Sequence, residues 1–269
     1  MKKKEAEIPP EHPRAESLRI REKLVKHHRS GIVAEAGLFA HGRGEAFDYL
    51  LGEKTTRNAL KAIEAAATAL LTAEHPVISV NGNAAALAAK DIVKLAQVTG
   101  AKIEVNLFYR SAEREIAIRK LLERAGAEQV LGVGEAASAR IAEIGSERRR
   151  VDPAGILVAD VVLVPLEDGD RTETLVKMGK KVIAIDLNPL SRTAQFATIT
   201  IVDNIVRAMP TLIEVAEKLR KEDRSKLKTI LANFSNKRNL SEAMNLINQR
   251  LSELGEKGTY ISISLKGEK

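Results

Sequence analysis

The sequence predicts an α/β fold: a mostly parallel, doubly wound sheet with an N-terminal helical extension and C-terminal helices. Three observations carry this. Short apolar runs rich in β-branched residues recur at residues 77–80, 102–108, 129–133, 161–165, 182–185 and 198–202. Stretches of helical periodicity separate them. Alternation of this kind favours parallel strands joined by right-handed crossovers. No strand-like run precedes Pro76, so residues 1–74 read as a helical extension. Residues 75–269 read as the α/β domain with its C-terminal helices, the two parts forming one compact unit.

Composition narrows the classes. A hydrophobic fraction of 44% supplies an ordinary core, and with aromatics at 3% that core is aliphatic. Cysteine is absent, which excludes disulfides, thiolate metal sites and Cys nucleophiles. No apolar run approaches membrane-spanning length, and Met1-Lys2-Lys3-Lys4-Glu5 lacks a signal-peptide apolar region. The expectation is a soluble, cytoplasmic protein with no membrane partner. Net charge is +7, which fits an anionic ligand such as a phosphate compound, or simply a highly charged surface. Basic patches interleaved with aromatics are missing, so a base-stacking nucleic-acid surface is not expected.

Residues 1–12, with three lysines, Pro9 and Pro10, read as a tether. A helix is expected over 14–29, with Leu18, Leu24 and Val25 as its apolar stripe and Gly31 as its stop. Arg21 on this helix is either an exposed solubilising side chain or one that reaches a phosphate. In residues 37–52 the apolar residues cluster at both ends, and His41-Gly42-Arg43-Gly44-Glu45 reads as a polar turn between them. Glycines there let amides approach a ligand, and Arg43 can fork onto phosphate oxygens. The competing reading is a helix–helix connection with a Gly C-cap. Thr55 or Thr56 caps a helix ending near Thr72.

The first strand exits into Asn81-Gly82-Asn83 and an alanine-rich helix. A helix N-terminus is a ready anion site, and the asparagines can donate to a phosphate or hydroxyl. A plain Asn N-cap competes with this. The second strand runs into Arg110 and Arg114, at the start of a helix expected over 115–125. Arginines there oppose the helix dipole, which points to a task, unless they pair with Glu113 and Glu115. Arg148-Arg149-Arg150 reads as a solvated charge run. Glu167, Asp168 and Asp170 share one loop and could hold magnesium through its waters, or Asp170 and Glu173 could form a capping box.

Strand 182–185 ends on Asp186-Leu187-Asn188-Pro189. An Asp just past a strand suits ribose hydroxyls, while Asp186 and Asn188 also suit an Asx-type turn ahead of Pro189. Asp203 and Asn204 cap a helix from about Ile205, and a backbone or amide contact from Asn204 could read a base edge. Helices then run to about Leu254, with Pro210 early in the first and Asn239 or Ser241 capping the last. Residues 259–265 read as a terminal strand and 266–269 as a fray. Polar groups thus recur at one end of the strands, where open α/β sheets bind ligands.

Three ordered motifs, the 40–53 stretch, Ser79-Val80-Asn81-Gly82-Asn83-Ala84 and the Asp186–Ala194 loop (186–194), resemble archaeal-type phosphopantothenate synthetase, also called 4-phosphopantoate–β-alanine ligase. The resemblance covers residues 8–254 or so. It implies a homodimer on a Rossmann-like sheet, acting in coenzyme A biosynthesis. The implied reaction joins 4-phosphopantoate to β-alanine as ATP goes to AMP and diphosphate, with Mg2+ expected alongside the nucleotide. By similarity ATP touches Arg21, Arg43, Asp186, Leu187, Asn188, Arg192, Thr193, Asn204 and Ile205. Asn81, Gly82, Asn83 and Arg110 are assigned to 4-phosphopantoate, and Arg43 and His41 are the catalytic candidates. A dinucleotide-dependent oxidoreductase would use the same sheet but wants a G-x-G-x-x-G turn, which residues 81–86 do not supply. A nucleic-acid-binding protein would show steeply salt-dependent binding. A structural module would gain no thermal stability from nucleotide.

Overall fold

The computed structural model describes residues 8–12 and 14–258. The expected terminal strand and fray lie outside the described residues, as does most of the tether. Three helices come first: α1 (Ala15–Arg29), α2 (Glu35–Leu51) and α3 (Arg57–Thr72). Then follow β1 (Pro76–Val80), α4 (Gly82–Thr99), β2 (Lys102–Val105) and α5 (Ala112–Arg124). Two short strands, β3 (Ala139–Arg140) and β4 (Arg150–Val151), form an antiparallel pair. The chain continues through β5 (Val161–Pro165), α6 (Gly169–Lys177), β6 (Lys181–Ile185), α7 (Arg192–Phe196) and β7 (Ile199–Ile201). It closes with α8 (Ile205–Leu219), α9 (Arg224–Asn233) and α10 (Asn236–Lys257).

The main sheet has five parallel strands in the order β2-β1-β5-β6-β7. From β1 the chain moves outward to β2, then crosses to β5 on the other side. Such a reversal leaves a crevice outside the carboxyl ends of the two strands that flank it. Side-chain alternation divides the core. Ile78, Leu163, Ile183 and Ile185 join one cluster with residues of α3, α4 and α8. Val77, Val162, Val182 and Ala184 join a second with Ile141, Ile144, Ile156 and Leu175. Both faces are covered, which is why the strands read as unbroken apolar runs. The helices before β1 pack onto the rest: α1 on α4, and α3 on α8 and β7.

Several expectations need correction. The polar turn at 41–45 does not exist: α2 runs unbroken through it and ends at Gly52, whose φ of 88° closes the helix. Glycine costs helix propensity, but here tertiary packing decides. No strand forms at 129–133; Leu131 makes one isolated parallel bridge to Glu104. At Gly132 the chain turns away with φ 75°. Arg148 is not solvated but buried. Asp170 and Glu173 form no capping box, because α6 starts two residues earlier, with Asp168 at its N-cap. Pro210 lies inside α8, past its first turn. Ser235 caps α10, and Asn239 sits within that helix, donating to the Thr200 carbonyl at 2.8 Å.

Glu104 on β2 is wholly buried. It accepts N–H bonds from Asp152 (3.1 Å) and Ile156 (2.6 Å), which holds the segment before β5 against the sheet. Burial pushes its carboxyl up to about 7 despite those two bonds. A folded-state value above the unfolded 4.5 stabilises below that pH and is lost as pH rises through about 7. Measured by urea unfolding from pH 5 to 8, Glu104→Gln should therefore gain stability relative to the parent protein as pH rises; a constant difference would refute this.

Gly82, first residue of α4, admits a close approach. A Cβ there would lie 2.2 Å from the Ile32 carbonyl oxygen, a backbone atom that cannot swing aside. Gly82→Ala should cost about 1–3 kcal/mol by overpacking, read as a lower urea midpoint.

Candidate functional site

Two adjoining cavities open at the carboxyl ends of the strands. The larger, of about 590 Å³, lies between α2, the β5 exit, the β6–α7 loop and the start of α8. Its volume is in the range of small-molecule sites. The smaller, of about 250 Å³, extends toward β1 and β2 and is walled by Asn81, Gly82, Phe108, Arg114 and Arg148. Ala40, Arg43, Asn83, Leu166 and Asp168 line both.

Most of the expected site residues meet here. His41, Arg43, Asn83, Asp186, Leu187, Asn188, Arg192, Thr193, Asn204 and Ile205 line the larger cavity. Asn81 and Gly82 line the smaller. Arg21 and Arg110 line neither. Arg21 grips the Glu45 carboxylate with Nε and Nη2, at 3.0 and 2.7 Å from Oε2. Arg110 is buried, paired with Glu115, and donates to the carbonyls of Gly132 (2.7 Å) and Arg150 (3.2 Å).

The sequence placed α2 wrongly as a turn, yet the helix brings the right side chains to the rim. It is anchored at both ends. Asn83 Nδ2 donates to the Gly37 carbonyl at 2.8 Å. Near the other end, Asp48 accepts from Asn204 Nδ2 (2.8 Å) and Arg207 Nη2 (2.5 Å). Arg207 in turn reaches Asp203 at 2.7 Å. Between these anchors the Arg43 guanidinium has no hydrogen bond or ion pair among the described residues. Its charge is felt at Asp186, and it stands open to an anion in either cavity.

Asp186 forms the Asx-type turn and lines the larger cavity. Its Oδ1 accepts from Asn188 N at 2.9 Å and its Oδ2 from Ser191 Oγ at 2.5 Å, so the Asx-type turn is present within the cavity wall. Burial pushes this carboxyl up; the Ser191 bond, the Asn188 amide and Arg43 pull it back. Other polar groups are spoken for. Asn81 Nδ2 donates to the carbonyls of Pro165 and Leu166, both at 2.9 Å, and its Oδ1 caps Ala84 N. That amide ties β1 to β5 at the reversal and has no donor left for a ligand. The Asn204 amide is likewise used, by Asp48 and by its own helix cap. One Nδ2 N–H and one Oδ1 lone pair take no part in those bonds, and the residue lines the larger cavity.

Arg114 and Arg148 were absent from the site expected from sequence. Arg114, noticed at its helix start, donates to the Ile32 carbonyl at 3.0 Å and faces the smaller cavity. Arg148 carries no sequence signal, since a triple arginine reads as surface. Glu167 is consumed: Arg148 at 3.0 Å and buried Arg171 both bind its Oε2. The three-carboxylate loop expected to hold Mg2+ therefore loses one member, and no group of three metal-ligating side chains forms among the described residues. Nor is any described helix long and apolar enough to cross a membrane.

Residues 58–250 match the model of the phosphopantothenate/pantothenate synthetase family. A protein of Thermococcus kodakarensis named 4-phosphopantoate–beta-alanine ligase is 51% identical over 94% of this chain and 97% of its own. A protein of that name from Methanosarcina mazei is 52% identical over 94% and 99%. One from Thermococcus onnurineus is 50% identical over 94% and 97%.

His41 lines the larger cavity, with Nε2 buried and without a hydrogen-bond partner among the described residues. Burial pulls its imidazole below the ordinary 6.5, and the nearby Glu45 only partly offsets this. Its NMR titration midpoint should fall below 6.5; a midpoint above that value would contradict a neutral ring at neutral pH.

Proposed function

The chain belongs to the phosphopantothenate/pantothenate synthetase family, and from that premise we propose that it condenses 4-phosphopantoate with β-alanine in coenzyme A biosynthesis. ATP supplies the driving force and leaves as AMP and diphosphate. The observation that carries the reading is the wall common to two cavities, with Arg43 unpaired upon it. A ligase must hold two phosphorylated substrates side by side, and this wall is suited to both.

ATP is assigned to the larger cavity. Asn188, Ser191 and the start of α7 offer polar groups for ribose and phosphates, and exposed Arg192 can leave Glu173 for a phosphate oxygen. The smaller cavity, with Arg114, Arg148 and the α4 N-terminus, suits the phosphate of 4-phosphopantoate. A carboxylate is a poor electrophile. Its oxygen would attack the α-phosphate, releasing diphosphate and leaving an acyl adenylate, and the amine would then displace AMP. Negative charge grows on the α-phosphate as the bond forms, and Arg43 supplies fixed positive charge there. With Glu167 committed to arginines, Mg2+ is expected to depend mainly on the nucleotide's phosphates for its ligands. Exposed Phe108 and Tyr109, packed ring on ring at the smaller cavity, offer apolar surface to a second copy, in keeping with a homodimer.

Incubation with ATP, 4-phosphopantoate and β-alanine should yield AMP and the amide. ADP in place of AMP would require an acyl phosphate route, and equal turnover with pantoate would remove the second phosphate site. Arg43→Ala should lower kcat by about 100-fold or more with the thermal unfolding temperature little changed. Near-parental turnover would take Arg43 out of the reaction.

A further inference from the structure

Asp168 stands where the two cavities meet and lines both. It occupies the N-cap of α6, yet its side chain caps nothing. Its Oδ2 lies 2.7 Å from Arg148 Nε, while 40% of the side chain stays exposed. Arg148 is held in turn, donating to Glu167 Oε2 at 3.0 Å and to the Asn106 carbonyl at 3.2 Å. Behind them Arg171, wholly buried, binds the same Glu167 oxygen and reaches Ser79 Oγ at 3.2 Å. Two arginines and two carboxylates balance, and three of the four are buried. The fourth is therefore aimed by groups that are themselves fixed.

The other cavity carboxylates are less suited to a ligand at this junction. Asp186 spends both oxygens on its own loop, Glu167 is enclosed by arginines, and Asp170 lines the larger cavity alone. The other charged side chain lining both cavities is Arg43, which favours anions. An amino acid arriving at neutral pH carries an ammonium, which such a wall repels and which cannot attack an acyl group until it loses a proton.

We propose that Asp168 seats the ammonium of the β-amino acid at the junction of the cavities and takes its proton. The inference rests on the ligase reading above. One N–H bond breaks as an O–H bond forms on the Asp168 carboxylate, freeing the nitrogen lone pair. Nitrogen then bonds to the acyl carbon, the bond from that carbon to the AMP phosphate oxygen breaks, and a second N–H proton passes to the departing phosphate. Burial raises the affinity of this carboxyl for a proton, and Arg148 restrains the rise. Arg148, Glu167 and Arg171 are positioning residues.

The test compares Asp168→Asn with the parent protein. The KM for β-alanine should rise at least tenfold while the KM for ATP changes less than twofold. Hydroxylamine, an amine already neutral near pH 7, should be coupled to 4-phosphopantoate with a much smaller loss than β-alanine. An unchanged KM for β-alanine overturns the proposal. So does a parallel rise in the KM for ATP, the result expected if Asp168 instead held a nucleotide-bound cation. Should Asp168→Asn fail to fold, Asp168→Glu serves, its longer arm raising the β-alanine KM against an unchanged ATP KM. AMP formation by the parent protein tests the ligase reading separately: its absence sinks that reading, whereas its presence with unaltered variant kinetics sinks only the role of Asp168.

Discussion

The grip of Asp48 on Arg207 and Asn204 holds the site together. It pins α2, an N-terminal helix, over the exits of β6 and β7. At the other end the Asn83–Gly37 bond fastens the same helix to α4 beside the exit of β1. The brace adds to the Arg21–Glu45 pair and to packing on α10, and it matters because α2 is rich in glycine and lacks a side-chain N-cap. With it, a helix of poor intrinsic stability becomes the roof of two cavities and carries Arg43 to their common wall.

A second constraint lies beneath. Glu167 is shared between Arg148 and Arg171 in a region almost closed to water. Taking such charges out of water costs about as much as their attraction returns, so the cluster adds little net stability. Its effect is positional. It draws the arginine before β4 onto the exit of β5 and orients Asp168 between the cavities. Glu104 does the same further from the site, anchoring residues 152–156 by their amides. The irregular segment between α5 and β5 is thus held by buried polar side chains where regular hydrogen-bonding would hold a strand. Membership of the synthetase family gives these charges a setting: a ligase for two phosphorylated substrates needs fixed cations, and cations near phosphates need counter-charges that do not move.

Local turn or cap chemistry and a place in a cavity wall coincide at several residues. Asp186 forms an Asx turn and also lines the larger cavity, because the turn is what presents the loop to it. Asn81 is an N-cap and lines the smaller cavity, but its amide serves the β1–β5 joint. Short-range chemistry and a place at the site are separate questions, and a strand exit at a topological reversal answers both with the same residues.

The sequence alone determined the alternation of strands and helices, the end of the sheet that carries polar groups, and where α3, α4 and α8 are capped, with the structure choosing Thr56 over Thr55 and Asn204 over Asp203. These follow from local rules: β-branched runs, helical periodicity and side chains that satisfy free amides. Tertiary structure decided the rest. It made residues 41–45 helical, because packing against α4 and the β7 exit outweighs the cost of two glycines. It turned the chain aside at Gly132 and hid Arg148, because Glu104 and Glu167, distant in sequence, claim those places. Propensity acts between neighbours along the chain, whereas burial and charge pairing act between neighbours in space, and the partners of Arg148 and Asp48 are known only once the sheet has brought them together.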